Sequence, residues 1–173
     1  MGDVLLEVRE FAGLTRWRWV LTDSSGAFVA DHGVQLDEKC WQFEAFTDLQ
    51  GYVSWRSAPD RYAEDETRIV GEVGAWIGAE VLGPVAEALV RMRPVTVRVT
   101  VAGDAPGEAK ALLFRPLELA HVNGRPLFAQ DVTLVMDPGD AGFGGPCACR
   151  KSHPPRWEWL FGFGEGRMSW LLS

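Results

Sequence analysis

The chain has few of the features that mark secreted or membrane-spanning proteins. Its 173 residues include only three cysteines, an odd number that builds no disulfide framework and fits a reducing compartment. No apolar run reaches the length of about twenty residues that a membrane-spanning helix needs. The first residues also lack the basic region and long apolar core of a secretory signal. These absences predict a cytoplasmic protein without a membrane span.

Basic residues are neither abundant nor clustered. The formal net charge is -7, and only three of the 17 basic residues are lysines. Because binding to nucleic acid requires a clustered face of Lys and Arg, we expect no nucleic-acid partner. The hydrophobic share of 47% and the charged share of 24% are those of an ordinary globular domain.

The first third of the chain has the alternation of a β-sheet. Residues 4–10, 16–23 and 27–36 form three β-rich runs, and the last two are joined by the turn-favouring sequence DSSG. Trp17 and Trp19 share one face of the second run, whereas Arg16 and Arg18 lie on the other. The pattern predicts an antiparallel meander.

Helical spacing begins near Lys39. It predicts a first helix capped by Asp37, a second helix that ends at Gly83 and Pro84, and a short helix over residues 85–92. The predicted buried stripe of the second helix comprises Tyr62, Ile69, Val73, Trp76, Ile77 and Val81.

Two β-branched runs follow. Residues 95–101 alternate valine with polar residues, and residues 132–136 are short and apolar, so both are expected in a central sheet. Residues 109–114 fit either a strand or a buried turn. The sequence therefore predicts an α/β fold: an N-terminal antiparallel β-meander, two to three helices, and then strands of a central sheet.

The segment LLFRPLELAHVNGRPLF, residues 112–128, is too interrupted for one helix or strand and too apolar for a solvated loop. Because Arg115 precedes a proline, it is expected to avoid helical geometry. The segment predicts a strand ending at Phe114, a single turn through PLELA, an Asn-Gly turn, and an extended RPLF that leads into the strand at 132–136.

This segment resembles the Pro-Trp-Glu-Leu signature of CHAT-domain proteins, the caspase-like relatives of separase and gingipain. Leu117 stands where that family often has tryptophan. Residues 58–85 resemble the helix that precedes the signature, and the whole resemblance spans residues 1–136. The positions that carry it, in a structural role, are Pro116, Glu118, Leu119, Gly124, Pro126 and Leu127.

The resemblance implies the non-catalytic, N-terminal half of a double caspase-like fold, with a packing or protein-interaction role. In the family the catalytic half follows, with a histidine in a Gly-rich turn and a cysteine in a small-residue turn. We therefore expect a domain at residues 1–136, a poorly ordered Gly/Pro/Trp-rich tail at 137–173, and a truncated or frame-shifted chain. A protein partner or the missing catalytic half is the expected ligand, and self-association is possible.

A cysteine peptidase needs a thiolate and a histidine within hydrogen-bond reach. In this sequence, His32 is interpreted as half-exposed, Cys40 as a small buried hydrophobe, and His121 lies where the resembling family has no catalytic group. No catalytic dyad is therefore identified, and no cofactor is expected.

The remaining candidates lie together in the tail. Cys147, Cys149 and His153 lie close together and could bind a soft metal, but structural zinc prefers four ligands and Cys-x-x-Cys spacing, so we predict no metal site. A hydrolase or metal enzyme that uses this cluster stays open as the alternative function. A ligand-binding module with a closed apolar pocket is a third possibility.

Overall fold

A computed structural model describes residues 2–138 of the chain. Its strands are β1 (Gly2–Arg9), β2 (Arg16–Thr22), β3 (Phe28–Gln35), β4 (Val95–Val101), β5 (His121–Val122), β6 (Arg125–Pro126) and β7 (Val132–Met136). Its helices are α1 (Trp41–Thr47), α2 (Leu49–Arg56), α3 (Tyr62–Trp76), which continues as the π-helix Ile77–Leu82, and α4 (Pro84–Arg91). The predicted α/β fold class is confirmed. All but the first two residues of the predicted tail lie outside the described residues.

The N-terminal strands form the predicted meander. β1 pairs antiparallel with β2, and β2 pairs antiparallel with β3. Trp17 and Trp19 are only 2% and 0% exposed, while Arg16 and Arg18 on the alternate positions are exposed. The alternation in the sequence therefore corresponds to one buried and one solvated face.

The later strands complete a mixed five-stranded sheet in the order β3-β2-β1-β4-β7. β4 pairs parallel with β1 and also with β7, in a register that sets Val97 beside Val4 on one side and Leu134 on the other. The prediction that both β-branched runs belong to the central sheet is confirmed. The end of the sheet formed by β7 is therefore built from parallel strands.

One face of this sheet and the helices share a single apolar core. Leu6, Val97 and Val99 of the sheet are fully buried together with Val73 and Ile77 of the helical layer. The opposite face is exposed or half-buried and carries charge, with Arg18 donating from Nε to Asp31 at 2.9 Å. The described residues thus form a two-layer structure.

The helical layer differs from the prediction at several positions. Asp48 interrupts the expected first helix, because its carboxylate accepts the Gly51 N–H at 3.0 Å and so begins α2 separately. Asp37 caps no helix and instead accepts the N–H of Lys39 in a turn. Tyr62, expected in the buried stripe, is 40% exposed because it lies in the first, peripheral turn of α3.

Within residues 2–138, no single helix is both long and apolar enough to cross a membrane. Tyr62–Leu82 and Pro84–Arg91 meet the length and composition only as a pair, which is bent by 98°.

Candidate functional site

Residues 107–129 form a series of short turns between β4 and β7. Residues 109–114 form no strand but belong to a 3-10 helix, Gly107–Phe114, in which Ala109, Leu112 and Leu113 are buried, so the predicted strand end at Phe114 is wrong. The run there has no period-two alternation that would keep a strand half-buried. The predicted single turn is present as Leu117–Leu119. RPLF is extended only at Arg125–Pro126, because Leu127 begins another 3-10 turn.

The signature positions divide into buried and surface groups. Leu127 is fully buried, while Pro116, Leu119 and Pro126 are half-buried. Gly124 has φ +73° in the predicted Asn-Gly turn between β5 and β6, a conformation that favours glycine. Leu117, at the position where the resembling family often has tryptophan, is fully buried and adds to the core. The segment is therefore part of the folded domain.

Two glycines of the α3 helix and its π-helical continuation allow this segment to lie directly on the helix backbone. A Cβ at Gly74 would lie 2.5 Å from the Leu119 carbonyl oxygen, and one at Gly78 would lie closer than 3.0 Å to the His121 carbonyl oxygen. No side chain fits at either distance. The pair Gly74 and Gly78 thus sets the separation between the helix and the start of β5.

Gln130 holds the far end of the segment and was not identified from the sequence. It is the one buried polar residue among those described, at 5% exposure. Its Nε2 donates to the carbonyls of Arg125 at 2.7 Å and Val122 at 3.2 Å, so one amide group bonds both strands of the β5–β6 hairpin. A glutamine two residues before a strand gives no sequence signal for this contact.

Two titratable groups of the segment have shifted pKa values. The pKa of the Glu118 carboxyl is raised by desolvation of its charged form, although the residue as a whole is exposed. The pKa of His121 is lowered by burial, since its ring lies against Gly74. Both shifts favour the neutral forms.

His32 has a structural contact that the sequence did not predict. Its Nε2 lies 2.9 Å from the carbonyl oxygen of Glu80 and, because a carbonyl only accepts, carries the hydrogen. The half-buried His32 of β3 therefore bonds the backbone of the π-helix Ile77–Leu82.

Cys40 is the remaining candidate catalytic residue in the described part of the chain. Cys40 is a free, half-buried thiol at the N-cap of α1, where its side chain makes no cap hydrogen bond. No group of three or more metal-ligating side chains occurs within residues 2–138. Cys147, Cys149 and His153 lie outside the described residues.

β7 ends the sheet with one side unpaired by any described strand. The Asp131 carbonyl accepts from Val95 and the Asp137 N–H donates to Val99, so the odd-numbered residues of this strand bond to β4. The pleat turns the backbone groups of the even-numbered residues away from β4. We call this side the open edge, formed by the amides of Val132, Leu134 and Met136.

The glycine contact gives a first prediction. Gly78→Ala should lower the free energy of unfolding by about 1–3 kcal/mol, because the methyl group would push the His121 backbone off the helix. Gly71→Ala is the matched control in the same helix, where a Cβ would meet nothing within 4 Å. It should stabilise by about 0.5–1 kcal/mol through helix propensity. Urea denaturation measures both, and equal effects of the two variants would contradict the contact.

The raised pKa of Glu118 gives a second prediction. The folded protein binds this proton more tightly than the unfolded chain, whose carboxyl titrates near 4.5. The stabilisation that this one carboxyl contributes is therefore complete below that pH, and it is lost as the pH rises through the folded pKa. Glu118→Gln should raise Tm at pH 7, and the gain should vanish at pH 4. Glu108→Gln, at an exposed position, is the control. A gain at pH 4 equal to that at pH 7 would be inconsistent with this linkage.

No family model, no curated protein and no solved structure matches the chain.

Proposed function

We propose that this chain is the non-catalytic half of a CHAT-like protein of caspase fold, and that it acts by binding a protein partner through the open edge of β7. The observation that carries the proposal is a parallel strand that ends the described sheet with outward backbone amides. Such an edge binds another extended chain through main-chain hydrogen bonds.

The composition of β7 supports strand pairing. Residues 132–136, VTLVM, contain no charge, no proline and no glycine, and Val135 is 45% exposed. Edge strands that avoid pairing carry charges, prolines or bulges. The opposite edge strand, β3, has such features, since it includes Asp31 and its pairing with β2 shifts register beside Leu21. The two edges of the sheet therefore differ in their capacity to pair.

The signature segment delivers β7 to this edge. Leu117, Ala120 and Val122 are buried against the helical layer, and the hairpin fixed by Gln130 leads into β7 beside β4. In the resembling family the catalytic half follows this signature. A strand from such a half, on the same or another chain, would extend the sheet from β7.

The contacts of the two described histidines support a non-catalytic role. The His32 imidazole is bonded to a helix carbonyl, and the His121 ring is packed on Gly74. Each ring thus has a structural contact in this domain. Hydrolysis would require a dyad supplied by the partner half.

Self-association tests the edge directly. We expect the purified chain to associate at high concentration, because two open edges can pair with each other. Val135→Lys should weaken the association about tenfold or more, since it adds a charge to an exposed position of β7 that pairing would bring beside its copy.

Phe28→Lys is the matched control. Phe28 is 65% exposed on β3, at the opposite edge of the sheet, and the substitution adds the same charge. It should leave the association unchanged in sedimentation equilibrium. A wild-type monomer at all concentrations, or equal loss in both variants, would count against the open edge.

The non-catalytic role has a separate test. We expect the purified chain to cleave no member of a mixed peptide library, as measured by mass spectrometry. The variants Cys40→Ser, Cys147→Ser and Cys149→Ser should give the same product-free spectra. Cleavage that one of these substitutions abolishes would refute the role and favour the alternative enzyme.

A further inference from the structure

A cavity of about 370 Å³ lies where α1 meets α2. Its walls include two carboxylates and two aromatic rings, which the fold brings together by starting a second helix at Asp48. The lining residues are Glu44, Thr47, Asp48, Gly51, Tyr52 and Trp55. The volume is within the range of small ligand sites, and the chemistry of the walls suits a cation.

The aromatic wall already attracts one guanidinium. Trp55 is 70% exposed, and Tyr52 is held in place by stacking on Trp41 with ring centroids 5.5 Å apart. The guanidinium carbon of Arg56 lies 4.4 Å from the Trp55 ring centroid and 5.5 Å from that of Tyr52. The faces of these rings are electron-rich, so cations are favoured there.

The two carboxylates are not equivalent. Asp48 accepts the Gly51 N–H, and the nearby guanidinium of Arg115, which donates to the Thr47 carbonyl, offsets part of its charge. Glu44 is exposed and has no ion-pair partner among residues 2–138. Glu44 is therefore the anionic group that an incoming cation would meet.

We propose that this cavity binds an arginine side chain of a protein partner, an inference that rests on the proposed partner-binding function and names the chemistry of the partner. A planar guanidinium stacks on an indole and pairs through two N–H groups with one carboxylate, which the compact ammonium of lysine does not do. In the free protein the Arg56 guanidinium lies over the Trp55 and Tyr52 rings without itself lining the cavity, and its charge disfavours a second cation nearby.

The experiment is a titration of the full-length chain, labelled at its indole nitrogens, with N-acetyl-arginine N-methylamide. The NMR signal of Trp55, assigned with Trp55→Phe, should shift and saturate. The neutral citrulline analogue should not produce this shift, and the lysine analogue should bind more weakly. Glu44→Gln should weaken binding about two- to fivefold, and Arg56→Gln should strengthen it about two- to fivefold.

Glu87→Gln removes the same charge at an exposed position outside the cavity lining and should leave the affinity unchanged. Absence of a saturable shift, an equal response to citrulline, or a weaker affinity in Arg56→Gln would overturn the proposal. Arginine binding in a chain that does not self-associate would refute pairing at the open edge but support the arginine site in the cavity. Self-association without arginine binding would support pairing at the open edge and refute the arginine site.

Discussion

The architecture depends on the direct contact between the backbone of residues 119–121 and the glycine side of the long helix. Gly74 and Gly78 leave no room for a side chain, so the carbonyls of Leu119 and His121 come against the helix itself. This contact fixes where β5 begins and, through the hairpin bonded by Gln130, where β7 enters the sheet. The place of the last described strand is thus set by helix packing as well as by its own sequence.

The position of β7 in turn explains why its sequence is unusual for an edge. A strand inside a sheet can lack the charges, prolines and bulges that protect an edge, because both of its sides are already paired. Residues 132–136 have that composition but lie at the end of the described sheet. Under the proposed function, a partner strand would pair with the side of β7 that no described strand covers.

The sequence predicted the parts of the molecule in which local pattern and tertiary structure agree. Alternating valines at 95–101 led to a central strand, and Trp17 and Trp19 led to a buried face. The pattern gave no warning that Asp48 would divide the first helix, because the apolar spacing continues through it. Long-range contacts were missed because local patterns do not report on residues far apart in the sequence. The bond from His32 to Glu80, for example, joins residues 48 positions apart.

The most direct test of the open edge is amide hydrogen exchange in β7, followed by NMR on the full-length chain at increasing concentration. In the dilute protein the amides of Val132, Leu134 and Met136 should exchange quickly, whereas those of Thr133 and Val135, bonded to β4, exchange slowly. At high concentration the first group should become protected. Equal, slow exchange of both groups in the dilute monomer would contradict an unpaired edge.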